Sequence, residues 1–134
     1  MREIKFRAWD SFNKKMLSWE QFKNIKFDVG DGYDVGIPLE ILDEKYQKQH
    51  NLIPQQFTGL YDKNGKEIYE GDICNHEYHP NYSGIIRWEE ELLSYAFTLK
   101  DKDGEYEQYF FIKSDGKKYK VIGNIYENPE LLTK

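Results

Sequence analysis

The most reactive side chains of this sequence lie close together in residues 74–79, CNHEYH. Thiolate and imidazole groups such as those of Cys74, His76 and His79 are preferred zinc ligands. Structural zinc sites usually take four ligands from two separated pairs, and this chain has no other cysteine and only one other histidine, His50. We therefore favour a strand that ends at Cys74 and runs into a polar turn closed by Pro80. We predict no metal and no cofactor, with Cys74, His76 and His79 as the ligands if a metal is bound.

The same residues could supply a cysteine nucleophile, because a thiolate needs a neighbouring base such as His76 or His79. In a strand, Cys74 and His76 would share a face, but their Cα atoms would be about 7 Å apart. At that separation the histidine cannot act as a base on the thiol unless the backbone brings the two side chains closer together. Since no other residue set points to one reaction, we predict no catalytic residues and no enzyme.

Binding of single-stranded nucleic acid is a stronger alternative. Small barrels bind single strands by stacking bases on aromatic rings beside lysine and arginine side chains. A net charge of −5 opposes the release of counterions that supplies most non-specific affinity. The candidate residues are Arg87, Trp88, Lys117, Lys118, Tyr119 and Lys120.

Protein interaction or self-assembly is the function that the sequence favours most. Aromatic residues make up 16% of the chain, and a sheet protein with open strand edges and aromatic surfaces is suited to pairing with copies of itself. We therefore expect a non-enzymatic binding module that forms a homo-oligomer.

The chain has 134 residues and a mass of 16.1 kDa, and this length favours a single domain. The high share of aromatic residues predicts an aromatic-rich core. No apolar run is long enough for a membrane span, and the charged N-terminus lacks the apolar stretch of a secretory signal. One cysteine agrees with a reducing compartment. We expect a cytoplasmic protein that does not enter a membrane.

The pattern along the chain predicts a mainly β, α+β fold: an N-terminal hairpin extension, one short helix near residues 38–50, a small SH3-like β-barrel and a short C-terminal helix. The hairpin and a variable segment occupy residues 1–55, and the barrel-forming part occupies residues 56–134. Alternating residues 2–9 form the first strand and residues 16–19 the second, and the helix begins at Pro38. Barrel strands are expected at residues 56–61, 67–68, 72–75, 83–88, 95–100, 106–113 and 119–123.

Residues 56–73, QFTGLYDKNGKEIYEGDI, carry two turn signals between apolar runs. Asn64 and Gly65 favour a tight turn between strands, and Gly71 with Asp72 marks a second change of direction. The segment predicts a hairpin that leads into a further strand.

Three strings in this order resemble the YopX protein family: MREIKFRAWD with KKM at the start, FTGLYDKNGKEIYEGDI in the middle and VIGNIYENPELL at the end. The resemblance implies a small protein of a bacteriophage or prophage that acts in the bacterial host. As an interaction module, the protein would have a phage or host protein as a further partner. The family has no assigned biochemical role, so the resemblance supplies no catalytic residues.

Overall fold

The computed structural model describes residues 4–25, 27–28, 34–35, 43–77, 79–90, 93–100, 106–111 and 116–132. The chain forms two compact units: Lys5–Gln56, here called the N-terminal unit, and Phe57–Lys134 together with Met1–Ile4, here called the C-terminal unit. Each unit has its own cluster of buried apolar side chains. The units are described separately below.

The N-terminal unit is built on an antiparallel sheet whose central strand is β1. Strand β1 pairs with β2 on one side and with the first half of β5 on the other. Buried apolar side chains of this sheet and of helix α1 form the core: Ala8, Leu17, Phe22 and Leu52. The elements are β1 (Phe6–Asp10), β2 (Lys15–Leu17), α1 (Trp19–Lys23), β3 (Phe27–Asp28), β4 (Asp34–Val35), α2 (Glu44–His50) and β5 (Leu52–Tyr61).

Helix α1 replaces the end of the second predicted strand, so the expectation of a strand through residue 19 is wrong. Strand β2 ends at Leu17, and Ser18 caps the helix. The Ser18 hydroxyl accepts a hydrogen bond from the Gln21 backbone N–H (3.2 Å), and the Gln21 side chain accepts one from the Ser18 N–H (3.0 Å). This reciprocal capping box satisfies two N–H groups that the first helical turn leaves without partners. It also turns Phe22 into the core.

Helix α2 covers Glu44–His50, the second half of the region in which a helix was predicted. The Asp43 carboxylate accepts a hydrogen bond from the Lys45 backbone N–H at 2.8 Å, as a residue at the start of a helix does. The predicted beginning of the helix at Pro38 lies outside the described residues.

The C-terminal unit contains an antiparallel sheet with the strand order β10-β9-β8-β7-β11, and a hairpin formed by the second half of β5 with β6. Its core includes Ile68 from the hairpin and Cys74, Ile86, Phe97 and Val121 from the sheet. The remaining elements are β6 (Glu67–Tyr69), β7 (Asp72–His76), β8 (His79–Glu89), β9 (Ser94–Lys100), β10 (Tyr106–Phe111), β11 (Tyr119–Asn124) and the 3₁₀ helices Gly116–Lys118 and Pro129–Leu132.

The turn predicted after Cys74 is shorter than expected. Strand β7 continues to His76, and β8 begins at His79 and includes Pro80, so Pro80 does not close a turn. Proline has no N–H to donate to a sheet and is tolerated at irregular positions of a strand. The pairing of β7 with β8 is irregular here, since the register shifts between Asn75 and His76.

Both predicted turns of residues 56–73 are present. Strand β5 ends at Tyr61 and β6 begins at Glu67, and within this loop Gly65 adopts a positive φ of 82°. Gly71, with a φ of 83°, redirects the chain between β6 and β7. Residues that carry a side chain rarely adopt such φ angles, which explains why glycine occupies both positions.

The described part of the chain is thus mainly β, with antiparallel sheets and few, short helices. The C-terminal turn Pro129–Leu132 is a 3₁₀ helix. None of the described helices has the length and apolar character that a bilayer span needs.

Candidate functional site

The cysteine and histidines of the 74–79 segment are divided between the core and a strand end. Cys74 is fully buried in the core of the C-terminal unit. His76 is also buried, and its ring lies 4.9 Å from the Tyr119 ring and 6.2 Å from the Phe97 ring, measured between centroids. His79 pairs with His76 in the β7–β8 ladder. Among the described side chains, no three Cys, His, Asp or Glu residues are grouped to hold a metal ion.

Tyr119 differs from the other nucleic-acid candidates because its side chain is only 3% exposed. It packs in the core against Phe97, with ring centroids 5.3 Å apart. Its ring therefore offers no open face to a base. Lys117 and Lys120 are exposed, and Lys118 is half-buried.

Arg87 and Trp88 are exposed at the far end of β8. They lie near the β8–β9 connection, whereas the lysines flank the start of β11, which is two strands away in the sheet. Trp88 packs edge-on against Tyr95, with ring centroids 5.1 Å apart. The structure thus separates the six candidates into two places.

The buried carboxylate of Asp62 organises the surface around the lysines. Its Oδ1 accepts hydrogen bonds from the backbone N–H groups of Asn64 (2.8 Å) and Lys66 (2.9 Å), which shapes the loop between β5 and β6. Its Oδ2 accepts one from the Val121 N–H of β11 at 3.0 Å. The Asp62 side chain therefore both stabilises the β5–β6 loop and connects it to β11 by a hydrogen bond.

A backbone hydrogen bond adds to this attachment. The Lys63 N–H donates to the Tyr119 carbonyl at 3.0 Å, so Lys63 lies beside Tyr119, whose neighbours in the chain are Lys118 and Lys120. On the same side, Gly116 lies against the Tyr61 carbonyl so closely that no Cβ would fit there. We call the resulting group the lysine surface; its residues are Lys63, Lys66, Lys117, Lys118 and Lys120.

The lysine surface is basic although the chain is acidic. The carboxylate inside it, Asp62, is 3% exposed. Burial raises its pKa, but the N–H groups of Val121, Lys66 and Asn64 and the Lys66 charge outweigh burial and lower the pKa below 3.8. Two further carboxylates belong to described neighbours: the exposed Glu77, whose N–H donates to the Lys118 carbonyl at 3.0 Å, and Glu67, which follows Lys66 and accepts a hydrogen bond from the Tyr69 hydroxyl. Among the described residues, the lysines of this surface thus outnumber the carboxylates beside them.

Sequence reasoning located the lysines of residues 117–120 but missed Lys63 and Lys66. Their signal was visible in the string DKNGK, where two lysines flank the Asn-Gly turn. By itself the Asn-Gly dipeptide predicts a turn and no binding surface. Its position next to β11 depends on a contact between residues 59 positions apart.

The family model described as YopX protein matches residues 5–133, and the chain belongs to that family. A crystal structure of YopX from Bacillus subtilis is similar over 98% of this chain and 97% of that chain, with a TM-score of 0.50 and 18% sequence identity, which supports the fold. A crystal structure of an Enterococcus faecalis protein aligns over 98% and 99% of the two chains, with 26% identity and a TM-score of 0.46. No curated protein matches the chain.

Proposed function

We propose that this member of the YopX family is a non-enzymatic protein that binds single-stranded nucleic acid through the lysine surface. The observation that carries the proposal is the set of hydrogen bonds of the Asp62 carboxylate, which hold the loop of Lys63 and Lys66 against the start of β11, where Lys118 and Lys120 lie. Clustered lysines neutralise phosphates and release counterions, and this local effect operates even on an acidic protein. The geometry thereby favours the alternative that the sequence ranked second.

A fluorescence-polarisation titration with single-stranded DNA, single-stranded RNA and duplex DNA tests the proposal. Salt is kept at about 50 mM because higher salt suppresses phosphate contacts. We expect binding at micromolar protein, and roughly tenfold weaker binding by the double variant Lys63→Gln/Lys66→Gln. No binding of any of these nucleic acids at micromolar protein would overturn the proposal.

The matched control is the double variant Lys45→Gln/Lys48→Gln. Both of these lysines are exposed on helix α2 of the N-terminal unit, and their replacement changes the net charge by the same amount. We expect it to bind as the unmodified protein does. An equal loss in both double variants would show that net charge decides binding and that the lysine surface does not.

Self-assembly into a homo-oligomer is the second candidate function, and a different observation favours it. Leu93 in the β8–β9 connection is 74% exposed and has a φ of 48°, and Trp88 at the end of β8 is 40% exposed. Strained backbone positions are more frequent at functional sites, and exposed apolar side chains mark contact sites where they form a patch. Light scattering tests this: we expect a defined oligomer that the variant Leu93→Asp weakens, and a monomer at all concentrations would refute it.

The family resemblance adds origin and location to the proposal. We infer a prophage-encoded protein that works in the host cytoplasm, and cell fractionation during prophage induction tests this location. We also infer that the C-terminal unit is an SH3-like barrel. Its support is the attachment of the β5–β6 hairpin to the free edge of β11 through Lys63 and Asp62, which curls the sheet toward closure.

A further inference from the structure

We propose that Tyr61 is the base-stacking residue of the lysine surface and that this surface therefore prefers single strands to duplexes. The inference rests on the proposed function and deepens it. Tyr61 is the last residue of β5 and directly precedes Asp62. Of the large apolar side chains that are exposed in the described part of the chain, Tyr61 is the one that adjoins the lysines: the others are Ile4, Phe12, Trp88 and Leu93.

The Tyr61 ring is open to solvent and yet held in place. Its side chain is 48% exposed. The ring contacts the Phe57 ring in an edge-to-face arrangement, with centroids 5.7 Å apart and an interplanar angle of 70°. Phe57 is buried and packs against Tyr69, at 5.5 Å between centroids. A tyrosine supported in this way stacks on a base at a small cost in side-chain entropy.

The charges around Tyr61 separate the place of a base from the place of a phosphate. The residue opposite Tyr61 in the β5–β6 ladder is Glu67, whose carboxylate accepts a hydrogen bond from the Tyr69 hydroxyl at 2.9 Å. This carboxylate repels a phosphate, while the lysines on the β11 side attract one. A strand would therefore lie with its backbone along the lysines and a base over Tyr61.

This arrangement favours single strands because a duplex keeps its bases stacked inside. Unpaired bases present a π face to an aromatic side chain, and each such contact contributes about 1–3 kcal/mol. The lysines by themselves would attract any polyanion. Tyr61 is thus the element that distinguishes a nucleic acid with accessible bases from other polyanions.

The experiment compares a single-stranded DNA of about 12 nucleotides, a length within the usual site size, with an abasic strand of the same length and a duplex. We expect Tyr61→Ala to weaken binding of the base-bearing strand roughly tenfold or more and to leave the abasic strand and the duplex within about twofold. Tyr61→Phe should retain the affinity. Phe12→Ala, at an aromatic side chain that is 78% exposed in the N-terminal unit, is the aromatic control and should bind normally.

The outcomes separate the two proposals. If the unmodified protein binds the abasic strand as tightly as the base-bearing strand, or if Tyr61→Ala affects both strands alike, the stacking role is refuted while the lysine surface stands. If no nucleic acid binds the unmodified protein, the proposed function itself is refuted, and the stacking role of Tyr61 with it. Tyr61→Trp gives a second measurement: we expect its added fluorescence to be quenched by the base-bearing strand, and unchanged emission at saturation would count against stacking.

Discussion

At the scale of single residues, Asp62 shows how one side chain can define a surface without belonging to it. Its carboxylate is buried and accepts three backbone N–H groups, so it has no need of a ligand. Its effect is to set where Lys63 and Lys66 stand. In the proposed function it is a positioning residue.

We expect Asp62→Asn to lower the free energy of unfolding by about 2–3 kcal/mol, because hydrogen bonds to a charged acceptor are lost and an amide N–H₂ meets backbone donors. Urea denaturation measures this. The comparison variant is Asp10→Asn, in a less buried turn where the carboxylate accepts N–H groups of Phe12 and Asn13. If Asp10→Asn lowers the free energy of unfolding as much as Asp62→Asn does, the hydrogen bonds of Asp62 have no special stabilising role.

The same carboxylate predicts a pH dependence. The pKa of Asp62 is lower in the folded protein than its ordinary value of 3.8, so the unfolded chain binds the proton more tightly. Its contribution to stability is present above about pH 4 and disappears as the pH falls through the folded pKa. The difference in unfolding free energy between the unmodified protein and Asp62→Asn should therefore shrink below pH 4. A difference that is constant down to the acid transition would contradict this.

Gly84 in β8 is a second residue whose environment determines its identity. A Cβ at this position would lie 2.5 Å from Cε2 of the fully buried Phe97 ring and 2.8 Å from the Thr98 carbonyl oxygen. We expect Gly84→Ala to destabilise the protein by about 1–3 kcal/mol, since neither neighbour can move freely. Thermal denaturation measures the loss.

The control for Gly84 is Gly65→Ala, where a Cβ would have open space but φ is 82°. Only the conformational penalty of about 1–2 kcal/mol applies there. Pairing each change with Phe97→Leu separates the causes, because a smaller side chain should relieve Gly84→Ala and leave Gly65→Ala unaffected. Equal effects on both would refute the steric account.

At the scale of elements, the boundaries of helices and strands follow local chemistry more than average propensity. Trp19 is as suitable for a strand as for a helix, but the capping box of Ser18 and Gln21 starts α1 at Trp19. The sequence contained this signal as Ser-x-x-Gln. The apolar residues Met16, Leu17 and Trp19 fit a strand as well, so the two local signals compete here.

Ser18→Ala should lower the stability of the N-terminal unit by about 1 kcal/mol, because the Gln21 N–H loses its acceptor. Ser18→Asp keeps an acceptor and should retain most of the stability. Circular dichroism during thermal unfolding measures both. If Ser18→Asp is as unstable as Ser18→Ala, the cap is not the cause.

At the scale of the whole molecule, the relevant feature is how charge is distributed. The chain has a net charge of −5, yet five of its lysines gather where the β5–β6 loop meets β11. Net charge by itself therefore describes this protein poorly. Binding should depend on the local surface and on salt.

We expect the logarithm of the binding constant for a single strand to fall with the logarithm of salt concentration with a slope of about −3.5, if all five lysines contact phosphates. In Lys63→Gln/Lys66→Gln the slope should become about −2, because about 0.7 is lost with each contact to a single strand. Titrations at a series of salt concentrations measure it. An unchanged slope in the double variant would show that these two lysines do not contact phosphate.

Much of the β architecture could be predicted from the sequence because its signals are local. Alternating apolar residues marked β1, and runs rich in aromatic and β-branched residues between turn signals marked the second half of β5 and the strands from β6 to β11. The glycines at positions 65 and 71 marked the turns. Such patterns depend on side chains two to four positions apart. The family was visible for a similar reason, as strings of adjacent residues.

The sequence by itself thus determined most strands of the C-terminal unit, both turns of residues 56–73 and membership of the YopX family. Only the tertiary structure decided that Tyr119 and His76 are buried, that Arg87 and Trp88 lie apart from the lysines, and that Lys63 joins Lys118 and Lys120. The physical reason is that burial and proximity depend on which strands pair. The hydrogen bond from the Val121 N–H to the Asp62 carboxylate joins residues 59 positions apart, and no local sequence pattern encodes it.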